Sequence, residues 1–183
     1  MDDNSFVSKE IYWIKEFYPG SQNLLPKNLN NVLAFGIIWN IFEGVLNDVI
    51  INKKGGKEDF SYYTKINYLI DSYGKKIRRE DFLEEFNYFL KRYKDKDLTK
   101  ELNFRDDKFT EKKAKEFLED IFANSSEESP CKEDMVKALG YIIYRIRNNY
   151  FHGIKPTKSL PSQNENFRNV NRVIINLLET IKR

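Results

Sequence analysis

Apolar positions along the chain recur at the spacing of three and four residues that is typical of amphipathic helices. Residues 79–94 show this most clearly, whereas residues 28–51 are apolar on nearly every side, which is typical of a central helix. No segment alternates with a period of two, so we predict an all-α fold. The predicted helices cover about residues 8–18, 28–51, 58–73, 79–94, 110–122, 130–152 and 165–182.

Local signals predict where several of these helices begin and end. We expect Gly74 to be a left-handed C-cap and Thr110 to be an N-cap. Ser129-Pro130 has the form of an N-cap followed by proline at the first helical position. Residues 95–109 are highly charged, and their pattern fits neither a helix nor a loop clearly.

Length and composition favour one domain spanning residues 1–183, with room for a hydrophobic core. The chain has only 8 Gly and 5 Pro, but 14 Phe and 11 Tyr, which favours long helices packed through large side chains. The formal net charge of +3 is too small to indicate nucleic-acid binding by itself. It leaves room for a local basic patch.

Two features predict a cytoplasmic protein without a membrane partner. Cys131 is the only cysteine, so it forms no internal disulfide and fits a reducing compartment. The N-terminus lacks a signal-peptide pattern, and the apolar segment from Asn30 to Phe42 is shorter than the roughly 20 residues of a membrane helix. We also expect no multi-cysteine metal site and no cofactor.

Candidate chemistry lies on the helix predicted near residues 133–152. Its core arc, on a helical wheel, carries Met135, Leu139, Ile142, Ile143, Ile146 and Tyr150. The opposite arc carries Arg147, Phe151, Tyr144, Asn148 and His152 instead of the usual lysines and glutamates. Two aromatic side chains away from the core suggest a second covered surface, so we expect Tyr144, Asn148 and Phe151 to form a homodimer interface or to contact a ligand.

Arg147 and His152, the only histidine, are the candidate catalytic residues. Histidine can move a proton at the 2'-hydroxyl or the leaving 5'-oxygen of RNA, and arginine can stabilise charge at the phosphorus. Five residues separate them, so they diverge by about 140° on an ideal helix. A second copy across a two-fold axis could bring two such pairs to one cleft. The simpler alternative is a histidine that interacts with the carbonyls at a helix end, beside a surface arginine.

The sequence Arg147-Asn148-Asn149-Tyr150-Phe151-His152-Gly153 resembles the motif of the HEPN (higher eukaryotes and prokaryotes nucleotide-binding) superfamily. It looks especially like bacterial members from defence and toxin systems. The segment Trp39 to Leu46 also resembles the early core helix of such proteins. The resemblance covers mainly residues 28–51 and 130–183, and residues 52–128 match nothing.

The resemblance implies an antiparallel helical bundle, with residues 52–128 as additional helices or a helical insertion. It further implies a homodimer whose facing motifs form an RNA cleft and cleave RNA without a metal ion. Asn148 matches the polar position after the arginine. Some members bind without cleaving.

Three further residues belong to the expected site. Glu43 lies on a polar stripe of the early helix with Gly36, Asn40, Gly44 and Asn47. This stripe either faces solvent or faces the motif helix, where Glu43 would orient Arg147 or His152. Lys155 and Lys158 directly follow the motif and are candidate RNA-backbone contacts.

These observations leave three functions open. The first is a metal-independent endoribonuclease of a toxin or phage-defence type, partnered by an antitoxin or another defence-system protein. The second is a non-catalytic HEPN module that binds RNA, a nucleotide or a protein partner. The third is a purely structural helical adaptor, which the presence of both Arg147 and His152 disfavours.

Overall fold

In the described parts of the chain, the fold is all-α, as predicted. The computed structural model describes Glu16 and residues 29–54, 60–105, 107–125, 130–152 and 161–183. Within these ranges there are seven α-helices and no strand. They are α1 (Asn30–Lys54), α2 (Tyr62–Tyr73), α3 (Leu83–Tyr93), α4 (Leu98–Leu102), α5 (Phe109–Asn124), α6 (Lys132–Phe151) and α7 (Asn164–Lys182), with short 3-10 turns at Gly74–Lys76, Arg79–Asp81 and Pro161–Gln163.

Helix α1 packs most closely against α7, the last helix of the chain. Their contact is apolar at its centre, where the Phe35 and Phe167 rings lie 5.1 Å apart. It is polar at the start of α1, where the Asn171 side-chain amide donates to the Asn31 carbonyl oxygen at 2.9 Å. These two contacts fix the distance between α1 and α7 and the register of one helix along the other.

Helix α6 is buried on almost its whole circumference for most of its length. The side chains of the predicted core arc are buried, with Tyr150 half-buried, but Val136, Ala138 and Tyr141 on other sides of the helix are buried too. The additional cover comes mainly from α2, α3, α4 and α5. Helices α2 to α5, in the middle of the chain, therefore cover most of α6.

Gly140 permits the closest approach of α6 to α2. A Cβ atom at this position would lie 2.9 Å from Cγ2 of Ile66, which is itself almost fully buried. Ile66 is branched at Cβ and has little freedom to move away. A side chain at position 140 would therefore push the two helices apart.

Arg145 forms a buried ion pair that the sequence analysis did not anticipate. Its Nη1 lies 2.9 Å from Glu111 Oε2, and the two side chains are 3% and 10% exposed. Its Nε and Nη2 donate to the carbonyl oxygens of Leu102 and Asn103. Arg145 thereby ties α6 to α5 and to the segment that follows α4, where Asn103 adopts a left-handed conformation with φ 55°.

The observed helix ends correct three expectations. Gly74 is not a left-handed C-cap, because its φ of −53° begins a 3-10 turn that continues the helical direction. Thr110 lies inside α5, which begins at Phe109. Cys131 caps α6, so Pro130 precedes the helix instead of occupying its first position. Gly74 is the C-cap at the expected position and differs only in conformation, whereas the N-caps of α5 and α6 lie two residues away from the expected ones.

Other boundaries agree with the sequence, and some lie outside the described residues. Helices α1, α3 and α7 match their predicted segments closely, and the ambiguous residues 95–109 contain α4, capped by the Asp97 carboxylate. The predicted helix 8–18, apart from the helical Glu16, and the proposed Ser129 cap lie outside the described residues.

The outer side of α1 is unusually apolar. Leu33, Ile37 and Ile41 follow one another at a spacing of four and are 48%, 68% and 54% exposed. By length and composition, Asn30–Ile51 passes the test for a membrane-spanning helix, with a mean hydropathy of 1.5. A mostly buried core helix of a soluble protein has the same length and composition, but only 33% of this segment is buried, and its inner side packs against α7.

Candidate functional site

Arg147 lies in the last turns of α6, and its guanidinium contacts two aromatic rings. Its Cζ lies 5.4 Å from the centre of the Trp39 ring and 5.0 Å from that of Phe151. No ion pair joins it to a described carboxylate, in contrast to Arg145 two residues earlier. Of these two arginines, Arg147 has the guanidinium that a ligand phosphate could engage.

The side-chain nitrogens of Arg147 are only partly used. Nη1 donates to the Asn148 side-chain oxygen at 3.1 Å, which gives Asn148 a direct contact with the arginine. The Nε atom is buried and has no hydrogen-bond partner among the described residues. Arginine carries five N–H donors, and the described residues supply a hydrogen-bond acceptor only to Nη1.

Trp39 connects Arg147 to Glu43 through the surface of α1. Its indole Nε1 donates to Glu43 Oε2 at 3.2 Å, and its ring is 1% exposed. Glu43 is half-buried, so this part of the polar stripe faces the interior edge of the fold. Asn47 belongs to the same side and accepts from Lys65 of α2 at 2.8 Å, whereas Asn40 and Gly44 are exposed.

A stack of aromatic rings lies beside this connection. Trp39 packs against Tyr62, with ring centres 5.4 Å apart, and Tyr62 lies parallel to Tyr144 at 4.3 Å. Burial, and then the negative charge of Glu43, raises the pKa of Tyr62 well above its ordinary value, while the positive charge of Arg147 acts in the opposite direction. The Tyr62 hydroxyl is therefore neutral, and it is buried without a partner among the described residues.

Tyr144 and Phe151 differ in their surroundings, although both lie on the arc away from the predicted core. Tyr144 is half-buried and covered by Tyr62 and by Tyr63, whose ring meets it edge-on at 5.2 Å. The second surface that its position suggested is thus supplied at least partly by α2 of the same chain. Phe151 contacts Phe35 but stays 48% exposed.

His152 is the C-cap of α6 and is exposed. Its backbone N–H donates to the Asn148 carbonyl oxygen at 3.0 Å, and no described residue forms a hydrogen bond with its imidazole ring. No described hydrogen bond connects His152 with Arg147 either. In one chain, the arginine is therefore fixed by packing, whereas the histidine is available to solvent.

Two expected RNA contacts, Lys155 and Lys158, lie outside the described residues. Among the residues that are described, no three His, Cys, Asp or Glu side chains converge as metal ligands. Trp39 and Tyr62 are the residues of this site that the sequence analysis missed. Trp39 lies in the apolar segment 28–51, and a helical pattern does not distinguish a tryptophan that contacts an arginine from one that only packs in the core.

Comparison of the chain with protein-family models, with curated proteins and with solved structures found no match.

Proposed function

We propose that this protein is a metal-independent endoribonuclease of the HEPN type, acting in the cytoplasm in a toxin or phage-defence role. The observation that carries the proposal is the state of Arg147. Its guanidinium is held between two aromatic rings, has no carboxylate partner among the described residues, and lies five residues before the only histidine of the chain. A guanidinium in this arrangement can donate paired hydrogen bonds to the oxygens of a phosphate.

The proposed reaction divides two tasks between Arg147 and His152. Arg147 donates hydrogen bonds to the non-bridging oxygens and stabilises the charge that develops at phosphorus. Histidine accepts the 2'-hydroxyl proton or donates a proton to the leaving 5'-oxygen. The 2'-oxygen forms a bond to phosphorus as the bond from phosphorus to the 5'-oxygen breaks, which leaves a 2',3'-cyclic phosphate and a 5'-hydroxyl.

A homodimer would supply two histidines for the two proton transfers. Phe151 supports a dimer surface because it is exposed beside the motif, and Asn148 contacts the arginine at the same helix end. Tyr144 contributes less surface than its position on the helix suggested, because α2 covers it. The exposed Leu33, Ile37 and Ile41 of α1 add a second apolar surface that a partner copy could cover.

The test is cleavage of RNA in the presence of EDTA. Wild-type protein should cut RNA but leave DNA and 2'-O-methylated RNA intact, since both lack the attacking hydroxyl. His152→Ala should lose at least roughly 10²-fold in rate, as is typical for a general acid or base, and Arg147→Ala should lose a comparable amount. Activity that requires magnesium, or that survives in His152→Ala, would contradict the mechanism.

The biological role has its own test. Induced expression in a bacterial host should arrest growth, and His152→Ala should restore growth at equal protein level. A neutralising antitoxin or another defence-system protein should then be recoverable as a genetic suppressor. Growth arrest that persists in both His152→Ala and Arg147→Ala would show that the proposed site does not cause the toxicity.

A non-catalytic HEPN module that binds RNA, a nucleotide or a protein is the alternative function. The exposed His152 ring favours it, because no described residue orients the imidazole for proton transfer. Lys155 and Lys158 would contribute to RNA binding in either case. Replacing both with Glu should weaken binding and flatten its dependence on salt. Binding that depends on Arg147, without cleavage of any RNA, would select this alternative.

A further inference from the structure

We propose that Trp39 is a positioning residue for Arg147, and that Glu43 and Tyr62 hold the indole ring in place for that purpose. The geometry is a chain of contacts. Glu43 accepts the indole N–H at 3.2 Å, Tyr62 packs against the indole ring, and the Arg147 guanidinium lies over the same ring system. Trp39 itself is 1% exposed and also contacts Phe35 and Phe42, so its ring has no room to turn.

The physical advantage lies in what this arrangement avoids. An arginine can be fixed by a carboxylate, but a strong ion pair would compete with an incoming phosphate for the same N–H donors. A ring face attracts the guanidinium without using the N–H donors that lie in the guanidinium plane. Contacts with the Trp39 and Phe151 rings therefore restrict the side chain without using its N–H donors.

Glu43 acts on Arg147 through Trp39 instead of directly. Glu43 and Arg147 both contact the Trp39 indole, yet they do not form an ion pair with each other. A carboxylate that accepts the indole N–H increases the electron density of the ring and strengthens its attraction for a cation. Glu43 thus fixes the orientation of the indole ring and strengthens the attraction of the ring for Arg147. The N–H donors of the arginine stay without a carboxylate partner among the described residues.

The first experiment does not depend on any enzymatic activity. In a ¹⁵N–¹H spectrum of arginine side chains of the full chain, the Arg147 Nε–H signal is identified by its loss in Arg147→Lys. Ring currents should shift this signal upfield in wild-type protein. Trp39→Phe, which keeps a ring, should retain most of the shift, whereas Trp39→Leu should lose the part that Trp39 contributes and keep the part that comes from Phe151. An Arg147 signal that is unshifted in wild-type protein, or unchanged in Trp39→Leu, would overturn the proposal.

Glu43 provides a second pair of variants, which keeps the test decisive if Trp39→Leu fails to fold. Glu43→Gln keeps an oxygen that accepts the indole N–H, whereas Glu43→Ala removes the acceptor from a half-buried position. Glu43→Ala should move both the indole Nε1–H signal and the Arg147 signal, and Glu43→Gln should move them less. Movement of the indole signal alone would show that Trp39 does not transmit the effect of Glu43 to Arg147.

The last experiment rests on the proposed function and separates positioning from a merely structural role. Trp39→Leu should lower kcat on RNA by about 10–100-fold with a smaller change in KM, since a misplaced group costs up to about 10² in rate. In an Arg147→Ala background the same substitution should have no further effect. A full additional loss in that background would make Trp39 a structural residue only. If wild-type protein leaves all RNA intact, the proposed catalysis fails, while the arginine spectra still decide the positioning role.

Discussion

The guanidinium of Arg147 lies over the ring of Trp39, with 5.4 Å between Cζ and the ring centre, although the two residues are far apart in the sequence. Helices α1 and α6 meet here and at the Phe35–Tyr150 and Phe35–Phe151 contacts through large side chains, while each packs its backbone more closely against other helices. The orientation of the motif arginine therefore depends on how α2 and α7 hold α1 and α6 in place.

The first prediction concerns the close approach at Gly140. Gly140→Ala should lower the free energy of unfolding by about 1–3 kcal/mol, because its Cβ would clash with Ile66 in a well-packed interior. Gly44→Ala is the matched control, since nothing lies within 4 Å of its Cβ position and alanine favours a helix by up to about 1 kcal/mol. Urea denaturation measures both. A Gly140→Ala variant that is more stable than wild type would show that Ile66 of α2 moves away at little cost.

The second prediction concerns the buried Arg145–Glu111 ion pair. Arg145→Met should destabilise the fold by about 3–5 kcal/mol, because it leaves a buried carboxylate and two carbonyl oxygens without their donors. Arg147→Met should cost much less, since Arg147 has no described ion pair and loses mainly its contact with the rings. Thermal and chemical unfolding of the two variants compare them directly. Equal losses would contradict the structural assignment of Arg145.

The third prediction concerns the pH dependence of stability at Glu85. Burial is the main cause that raises the pKa of Glu85, despite Arg172 at 3.5 Å. A carboxyl group with a raised folded-state pKa stabilises the fold below its unfolded-state pKa, and this contribution is lost as the pH rises through the folded-state pKa. The free energy of unfolding of Glu85→Gln, measured relative to wild type, should therefore increase as the pH rises from acidic to neutral.

Asp81 is the control of opposite sign for this pH dependence. The hydrogen bond from Arg78 lowers the pKa of Asp81, so its contribution to stability is present at neutral pH and is lost as the pH falls. Asp81→Asn should lose stability relative to wild type at neutral pH and approach it in acid. Unfolding curves across the acidic range measure both differences, and a Glu85→Gln difference with the same sign as that of Asp81→Asn would refute the assignment.

The fourth prediction compares the two surfaces proposed for a homodimer. Ile37→Glu changes the exposed side of α1, and Phe151→Glu changes the surface beside the motif. If the motif surface forms the dimer interface, light scattering should show a monomer for Phe151→Glu and a dimer for Ile37→Glu. The reverse result would place the partner copy on α1, and a wild-type monomer at micromolar concentration would argue against both surfaces.

The sequence by itself determined the helical class and most of the helices. Amphipathic spacing at Phe82, Phe86 and Phe89 and at Val170, Val173 and Leu177 identifies buried helix faces, because burial of apolar surface and the 3.6-residue period are local consequences of residue order. Helix ends were predicted less well. The N-cap preference of a residue such as Thr110 is worth only about 1 kcal/mol, so tertiary packing readily moves a helix start.

Only the tertiary structure decided what surrounds each side chain of the motif helix. The sequence motif identified Arg147 as a candidate and assigned no role to Arg145, whereas the structure pairs Arg145 with Glu111 and places Arg147 against the rings of Trp39 and Phe151. The sequence pattern also assigned Tyr144 and Phe151 the same outward direction, whereas α2 covers only Tyr144. A helical wheel fixes angles around one axis, but the neighbours at each angle come from distant segments, and these determine which arginine is free to bind a ligand.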